Sequence, residues 1–291
     1  MKDQARQRFF LVVAACSLLA GAAAAQISSL PDAEIEQCLL EGEIGKKKGR
    51  LIGVTRPVRF EIDCSVDIGS VVFKHYHHHR PGLTKLEGGL TERNFTDSYN
   101  YDRAAYLLDR QLGLNMVPVA VRRRIKASEG VLVAWIPNAA HESEMIDRRT
   151  GALMATLAPQ KSMMRLFDAL ILNSDRRQEN WLVDKDSGKL YLIDHTRAFR
   201  NSKQLPKEFT GQPARLTQAV YRNLEGLNEA QLTELMGDFI GKSQIRALLV
   251  RRDLILEKID KDRQDLGEDF VFTDWQSSQP IAEVATADMG S

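Results

Sequence analysis

The run from Phe167 to Phe199 constrains the fold more than any other stretch of the sequence. It opens with an apolar segment ending at Leu172, which is typical of the end of a buried helix, and continues into the polar segment 173–180. Two short strand-like runs follow at 181–183 and 190–193, and the turn-rich residues between them predict a hairpin. The second run leads directly into Asp194. The sequence therefore predicts a helix, a polar loop, a hairpin and a strand-terminal carboxylate, in that order.

The side chains of this run suggest a chemistry. Asp175 and Asn180 stand five residues apart in the polar loop, and Asp194 follows the hairpin. In phosphoryl-transfer sites one Asp orients or deprotonates the acceptor hydroxyl, while an Asn and a second Asp hold Mg²⁺ against the nucleotide phosphates. No Ser-His-Asp or Cys-His arrangement is legible, so the residues give no support to hydrolase chemistry.

Two motifs, DRRQEN at 175–180 and IDHTRAF at 193–199, resemble the kinase-like superfamily. The resemblance is to the branch that holds phosphatidylinositol 3- and 4-kinases, HipA-type kinases and secretory-pathway kinases. There the loop reads roughly D-R-H-x-x-N, so Arg177 stands where the branch usually has His, and the metal-binding Asp lies in I-D-x-x-x-x-F. The resemblance implies an α+β, two-lobed protein-kinase-like fold with a β-rich N-lobe and a mainly helical C-lobe.

The resemblance also implies cofactors and roles. ATP is the expected nucleotide and Mg²⁺ the expected ion, with Mn²⁺ as the alternative. Asp175, Asn180 and Asp194 are the expected catalytic residues, and the last two would hold the metal. Lys74, which ends an apolar strand, would hold the α- and β-phosphates, and Asp102 would be its carboxylate partner. A single lysine at the end of a strand is more often a solvated edge-strand residue, and it is the position of Lys74 upstream of the catalytic loop that favours the functional role. The alternative for Asp102 is a residue that favours a helix N-terminus.

Two further segments are candidates for nucleotide binding. The basic segment 45–55 contains Gly49 and Gly53, where backbone N–H groups can approach a phosphate closely. A plain basic hairpin explains this segment equally well. The strand at 130–136 predicts a hinge between lobes, where backbone groups of Trp135 and Ile136 would meet the adenine, because ligands favour such clefts.

The first 25 residues have the pattern of a secretory signal, with a basic start, an apolar core at 9–19 and small residues before Gln26. An uncleaved membrane anchor is the alternative. No later stretch is long and apolar enough to span a bilayer. We therefore expect an exported protein, periplasmic or extracellular. Its remaining Cys38 and Cys64 form one disulfide or stay as two buried thiols.

The sequence divides into four predicted parts: a signal at 1–25, the N-lobe at 26–137, the C-lobe at 138–270 and a tail at 271–291. Residues 276–291 are small, polar and acidic, and we expect them to be disordered. The 40 basic and 39 acidic residues balance, so no overall field favours nucleic acid. The expected partners are the nucleotide and an unidentified hydroxyl acceptor.

Other elements follow from local patterns. In the N-terminal half we expect strands at 35–76, a helix at 99–112 and strands at 116–121 and 130–136. The histidines at 75–79 form a solvated loop or a metal site, and 82–97 is expected to be a loop over the cleft. In the C-terminal half we expect a short helix and loop within 139–159 and helices at 162–172, 215–224, 228–239 and 242–265. Arg251 and Arg252 are expected on a solvated face.

Three functions remain open on the sequence. The first is an exported kinase that moves the ATP γ-phosphoryl group to a hydroxyl of a protein, lipid or glycan. The second is a pseudokinase that binds a nucleotide or a partner, which Arg177, Asp102 and the scarcity of ATP outside the cytoplasm motivate. The third transfers another part of the nucleotide, such as AMP.

Overall fold

The computed structural model describes residues 30–51, 56–85, 91–148 and 151–274. The predicted signal, most of the predicted tail and Gly53 lie outside these ranges. The strands are β1 (Glu43–Arg50), β2 (Val58–Asp63), β3 (Ser70–Lys74), β4 (His77–Lys85), β5 (Thr91–Ser98), β6 (Ala120–Ile125), β7 (Ser128–Ala134), β8 (Ala139–Ala140), β9 (Trp181–Asp184) and β10 (Leu190–Leu192).

The α-helices are α1 (Asp32–Glu41), α2 (Asn100–Leu112), α3 (Gly151–Ile171), α4 (Lys207–Thr210), α5 (Gln218–Gly226), α6 (Glu229–Met236), α7 (Lys242–Leu266) and α8 (Glu268–Val271). Two short 3-10 helices span Glu142–Arg148 and Gln178–Asn180. None of the helices in the described ranges is long and apolar enough to cross a membrane.

Five antiparallel strands form the main sheet of the N-terminal part, in the order β1-β2-β3-β7-β6. The predicted pairing of 58–62 with the strand that ends at Lys74 is confirmed by β2 and β3. Val71, Val131 and Leu132 in the middle of the sheet have no exposed surface. Each such side chain contributes about 1.5–3 kcal/mol by burial, so β3 is held firmly by its neighbours.

Helix α2 packs beside this sheet and matches its predicted bounds within one residue. Its end is set by Gly113, which has φ of 74°, the left-handed conformation that glycine adopts most readily. Ala104, Ala105 and Leu108 are fully buried on one face of the helix. This face fixes the position of Asp102, which lies on the first turn.

The prediction of strands from Ile35 onward is wrong for residues 35–41, which belong to α1. The buried residues Ile35, Cys38 and Leu39 have the spacing of one helical face, and Asp32 in the first turn favours a helix N-terminus. Cys38 forms a disulfide with Cys64, so the disulfide prediction is confirmed and the alternative of two thiols is excluded.

The prediction of loops is wrong for residues 77–79, 82–85 and 91–97, because β4 and β5 pair as a separate two-stranded sheet. Its strands are polar on both faces, so they lack the alternation of apolar residues that marks a half-buried strand. Cross-strand hydrogen bonds support it instead: His77 Nδ1 lies 2.8 Å from Ser98 Oγ, and His79 Nδ1 lies 2.8 Å from Thr96 Oγ1.

The C-terminal part is mainly helical and contains the three-stranded sheet β10-β9-β8. The predicted hairpin is confirmed by β9 and β10. The predicted core helix is longer than expected: α3 starts at Gly151 and continues through Pro159. Proline is expected to break a helix, which explains the late predicted start. Asn228 caps α6 as predicted, by accepting the Gln231 N–H.

Arg251 lies inside the protein, so the prediction that it is solvated is wrong. It has no exposed surface, and its guanidinium donates to the carbonyl oxygens of Leu170, Arg200 and Ser202. Burial lowers its pKa to about 10. Helix α7 thereby holds the end of α3 and the segment that follows Asp194. The neighbouring Arg252 is half-buried and donates to the carbonyl of Leu227 at 2.5 Å.

Candidate active site

Lys74 lies at the centre of the candidate site. Its Nζ is 3.0 Å from both carboxylate oxygens of Asp102 on α2 and 3.3 Å from Oδ1 of Asp194. Three segments that are distant in sequence therefore converge on one ammonium group. Burial disfavours this charge, but the two carboxylates outweigh burial and raise the pKa of Lys74 above its ordinary value.

Asp102 is held ionised by the same contacts. Burial disfavours its charge, but the Lys74 ammonium and the nearby His195 outweigh burial and lower the pKa of Asp102. The His195 backbone N–H donates to Asp102 Oδ1 at 3.0 Å. The carboxylate therefore links the sheet, α2 and the segment that carries Asp194.

A close approach of strands fixes the position of Lys74. Gly130 on β7 lies against β3, and a Cβ atom at Gly130 would stand 2.3 Å from the Lys74 carbonyl oxygen and 2.6 Å from the Phe73 ring. Only glycine fits between these atoms. Sequence reasoning treated Gly130 as an ordinary strand residue, because the closeness of two strands is not visible along the chain.

Asp194 lies in a sparsely populated backbone conformation. Its φ is 58°, and Asp is among the few residues other than glycine that adopt this region. The Thr196 hydroxyl donates to Asp194 Oδ1 at 3.2 Å, and the side chain remains 38% exposed. The carboxylate thus turns from the end of the hairpin towards Lys74 while keeping an accessible oxygen.

His195 is fully buried, which favours packing over contact with a phosphate tail. Arg176 donates to its Nε2 at 3.0 Å, so the ring carries its hydrogen on Nδ1. Burial and the charge of Arg176 lower the pKa of His195, which stays neutral. The ring's Nδ1 lies 3.7 Å from Asp102 Oδ1, beyond hydrogen-bond distance, and the ring packs edge-on against Phe167.

Arg176 organises the polar loop. It donates to both carboxylate oxygens of Asp168 on α3, at 2.9 and 3.0 Å, and to the carbonyl oxygens of Asn180 and Ile193. Such two-point pairs are the stronger and more directional ion pairs. Asn173 donates to Asp168 as well and accepts the Asp175 N–H. The loop is therefore tied to α3 and to the strand before Asp194.

Two arginines contact the carboxylate of Asp175. Arg177 Nε lies 3.1 Å from Oδ1, and Arg197 NH1 lies 3.6 Å from Oδ2. Arg197 also donates to Asp97 at the end of β5, at 3.2 Å. Sequence reasoning identified neither Asp168 nor the Asp97–Arg197 pair, since partners distant in sequence leave no local pattern.

Asn180 and Asp194 can supply oxygen ligands for a metal. The Asn180 amide donates from Nδ2 to the Asp175 carbonyl at 2.5 Å, which directs its hydrogens away and leaves Oδ1 for a cation. Mg²⁺ is commonly bound by one or two protein oxygens together with substrate phosphates. In the described ranges no group of three or more His, Cys, Asp or Glu residues could hold a metal ion. The residues present therefore fit an ion held jointly with phosphates.

Three further residues predicted to bind the nucleotide, Gly49, Trp135 and Ile136, lie on or next to the main sheet. The Trp135 N–H donates to the Ser70 carbonyl, and Arg59 lies over the Trp135 ring at 3.9 Å. The Trp135 N–H is therefore engaged within the sheet, whereas Ile136 follows it at a buried position. Gly49 lies on β1 opposite Arg59. Its φ is 153°, a backbone conformation that glycine adopts readily and other residues rarely adopt.

The β-rich and helical parts, with Lys74, Asp102 and Asp194 between them, define a two-lobed kinase-like fold. The family model for phosphatidylinositol 3- and 4-kinase matches residues 89–240, just over half of the 291 residues. The chain belongs to this family, as the motifs at 175–180 and 193–199 predicted.

Solved structures agree on the fold. A Fam20 protein of hydra, solved with a sugar, superposes with a TM-score of 0.59 at 17% identity, covering 81% of this chain and 90% of that one. The Golgi casein kinase with Mn and ADP bound gives a TM-score of 0.56 at 14% identity, covering 83% of this chain and 78% of that one. No curated protein sequence matches the chain.

Proposed function

We propose that the chain is an exported kinase that transfers the γ-phosphoryl group of ATP, with Mg²⁺ or Mn²⁺, to a hydroxyl group of a protein, lipid or glycan. One observation carries the proposal: Lys74 Nζ lies within 3.3 Å of carboxylates from two distant segments, Asp102 and Asp194. A buried lysine held charged beside an accessible Asp is suited to binding nucleotide phosphates with a metal.

Asp175 is the proposed acceptor-activating residue. Its carboxylate would accept a hydrogen bond from the acceptor hydroxyl and hold it towards the phosphoryl group. Arg176 positions this residue indirectly, because it fixes both ends of the loop through Asp168 and the Asn180 carbonyl. Such fixed geometry supplies most of the catalysis in phosphoryl transfer.

Lys74 would contact the α- and β-phosphates, and Asn180 and Asp194 would hold the ion. When bound, Mg²⁺ neutralises the charge that spreads over the phosphate oxygens. The Asn180 Oδ1 and the exposed part of the Asp194 carboxylate are the oxygens available to it. The Golgi casein kinase structure, which holds Mn and ADP, supports both cofactors.

Export is supported by the signal-like N-terminus and by the Cys38–Cys64 disulfide, because disulfides persist in oxidising compartments. The similar Golgi casein kinase bears a secretory-pathway name, which agrees with this proposal. The proposed mature chain begins at Gln26, with an N-lobe to residue 137 and a C-lobe to residue 270.

A pseudokinase is the second candidate. The observation that favours it is the double ion pair at Asp175, since Arg177 and Arg197 both contact the carboxylate that the acceptor must reach. Such a protein would bind the nucleotide without transferring its phosphoryl group. Transfer of AMP is the remaining alternative.

Labelled ATP separates these functions. The mature protein is incubated with Mg²⁺ and ATP labelled in either the α- or the γ-phosphate, with casein, phosphatidylinositol vesicles and a proteoglycan as acceptors. We expect γ-label on one acceptor class. Transfer of α-label would replace the proposal with AMP transfer. Nucleotide binding with no transfer to any acceptor or to the protein itself would favour the pseudokinase.

Variants connect the transfer to the site. We expect Asp175→Asn to slow transfer by about 10²–10⁴-fold, the range for a positioned acid or base, and Asp194→Asn to abolish metal-dependent transfer. Asp238→Asn is the matched control, because this aspartate is 81% exposed and lies on the loop before α7. Equal rates in all three variants would refute the assignment of the site.

A further inference from the structure

Arg197 lies close to the residue proposed to hold the acceptor and to a residue proposed to hold the metal, and the function proposed above assigns it no role in transfer. It follows Asp194 on the segment after β10, and its NH1 lies 3.6 Å from Asp175 Oδ2. Burial opposes its charge, but the carboxylates of Asp175, Asp97 and Asp194 outweigh burial and raise its pKa. A phosphoryl group moving from the metal-bound nucleotide to the acceptor would pass between Asp194 and Asp175. The guanidinium therefore borders the path of the transferred group.

Asp97 anchors the inner end of the Arg197 guanidinium. Its carboxylate is buried, and Oδ2 accepts a hydrogen bond from Arg197 Nε at 3.2 Å. The guanidinium carbon also lies 5.8 Å from the ring centre of Phe95, which is buried on the same strand. The Ser98 N–H donates to the Thr196 carbonyl at 2.9 Å, which joins the end of β5 to the segment that carries Arg197. The position of the guanidinium is therefore fixed by contacts between two distant segments.

The outer nitrogens of Arg197 are available to a ligand. In the part of the chain that the structure describes, Nε is the nitrogen of Arg197 that donates a hydrogen bond, whereas NH1 stands beyond hydrogen-bond distance of Asp175. The side chain is 32% exposed, so a ligand can reach it. A guanidinium presents its N–H donors in a planar fork, and phosphate oxygens match this fork in both charge and geometry. NH1 and NH2 can therefore donate together to one phosphate group.

Arg177 also contacts Asp175 but is held differently. Its side chain is 69% exposed, and an ion pair of such an exposed residue contributes little to holding its geometry. Arg197 is instead held by the buried carboxylate of Asp97. Stabilisation of a charge in transit requires a donor whose position is fixed before the reaction begins. Of the two arginines, Arg197 meets this requirement.

We propose that Arg197 binds the γ-phosphoryl group and stabilises it during transfer, a role that rests on the kinase function proposed above. NH1 and NH2 donate to the γ-phosphate oxygens while Nε stays on Asp97. The bond between the γ-phosphorus and the bridging oxygen breaks, and its electron pair leaves with ADP. A new bond joins the acceptor oxygen to the phosphorus, and the hydroxyl proton passes to Asp175. Arg197 offsets the negative charge on the phosphoryl oxygens throughout this exchange.

This role gives the contact between Arg197 and Asp175 a purpose. In the protein without ligand, the guanidinium lies beside the carboxylate that the acceptor must reach. The γ-phosphate of ATP competes for the same cation, so its binding frees Asp175 to accept the acceptor hydroxyl. ADP lacks the γ-phosphate and leaves the pair in place. Asp97 is then a positioning residue, because it touches Arg197 and not the phosphoryl group.

Calorimetric titration of the mature protein in Mg²⁺ with ADP or with AMP-PNP, a non-hydrolysable analogue of ATP, tests the contact without requiring transfer. Arg197→Met removes the guanidinium, and Arg197→Lys keeps the charge beside Asp97 without the fork. We expect both variants to bind AMP-PNP about tenfold or more weakly, as for loss of a charge-assisted hydrogen bond, and to keep the wild-type affinity for ADP. Asp97→Asn should cause a smaller loss of the same selectivity. Lys203→Met is the matched control, because this exposed cation lies on the same segment, and it should bind both nucleotides like the wild type.

Retained binding of ADP shows that a variant is folded, so a selective loss of AMP-PNP belongs to the γ-phosphate contact. In the γ-label assay we expect Arg197→Met to slow transfer by about 10²–10³-fold, the effect of removing one fixed donor. Wild-type AMP-PNP affinity in both variants, or equal loss of AMP-PNP and ADP in Arg197→Lys, would overturn the role of Arg197 and leave the nucleotide site in place. A selective loss without any transfer by the wild type would support the contact and refute the kinase function. No binding of either nucleotide by the wild type would overturn both.

Discussion

Replacing Asp102 with Asn removes the negative charge of the buried Lys74–Asp102 ion pair and should lower the free energy of unfolding. Removing one partner of a buried ion pair costs about 3–5 kcal/mol, because the other charge is left uncompensated. Asp194 still lies 3.3 Å from Lys74, so we expect the lower end, about 3 kcal/mol. For a chain of this size that lowers the unfolding midpoint by about 6–12 °C.

The pH dependence gives this prediction a definite sign. The folded-state pKa of Asp102 is lowered to about 2, below the value of the unfolded chain. Its contribution to stability is therefore fully present above about pH 4 and is lost as the pH falls towards 2. The difference in the free energy of unfolding between wild type and Asp102→Asn should shrink over the same window.

Urea unfolding of wild type, Asp102→Asn, Lys74→Met and Lys74→Met/Asp102→Leu measures the coupling. We expect the double variant to be more stable than the sum of single effects predicts, because it leaves no uncompensated charge. Glu61→Gln is the control, since Glu61 pairs with Lys48 at 2.9 Å but is exposed, and it should leave stability unchanged. Additive effects, or a gap that is constant from pH 7 to 2, would refute this account of the pair.

Three further substitutions test the packing around the site. Replacing Cys38 and Cys64 by Ser should cost about 3.5 kcal/mol in urea unfolding, from the 26-residue separation that the disulfide closes. Arg251→Met should cost about 3 kcal/mol in the same assay, because it leaves buried carbonyl oxygens without donors. Gly130→Ala should cost about 1–3 kcal/mol and weaken ATP binding by calorimetry, because the added methyl group displaces β3 beside Lys74.

Each of these predictions has a contradicting result. Unchanged stability after loss of the disulfide would show that α1 needs no covalent tie to the sheet. Arg246→Ala is the control for Arg251, since Arg246 is 65% exposed on the same helix, and equal effects of the two variants would contradict the buried role. Normal ATP affinity in Gly130→Ala would show that the strand spacing at β3 does not control the site.

The sequence predicted the elements that combine a strong local pattern with a clear end. Helix α2 has buried alanines and leucines at helical spacing and ends at Gly113, and the β9–β10 hairpin is marked by a turn-rich connection. The motifs at 175–180 and 193–199 were sufficient to indicate the family. The order and spacing of residues within these two motifs indicate the family, so the family can be predicted without a structure.

The local sequence patterns were misleading where contacts between distant segments determine the secondary structure or the burial of a residue. The β4–β5 hairpin is polar on both faces, and its strands are held by pairs such as His79 and Thr96. The sequence predicts Arg251 on the surface because charged side chains are usually solvated. In the structure its guanidinium is buried and donates hydrogen bonds to three carbonyl oxygens. The contacts of Arg197 with Asp97 and Asp175 join distant segments. None of these partners is visible from sequence spacing.

Binding of ATP tests the central claim most directly. Thermal unfolding of the mature protein is measured with ATP, with ATP and Mg²⁺, and with neither, for wild type and Asp194→Ala. A ligand that binds only the folded state adds about 2.7 kcal/mol at a hundredfold excess over Kd. The account predicts a Mg²⁺-dependent rise in the wild-type midpoint that is lost in the variant. No rise with saturating ATP and Mg²⁺, or an equal rise in Asp194→Ala, would contradict a nucleotide site built on Lys74, Asn180 and Asp194.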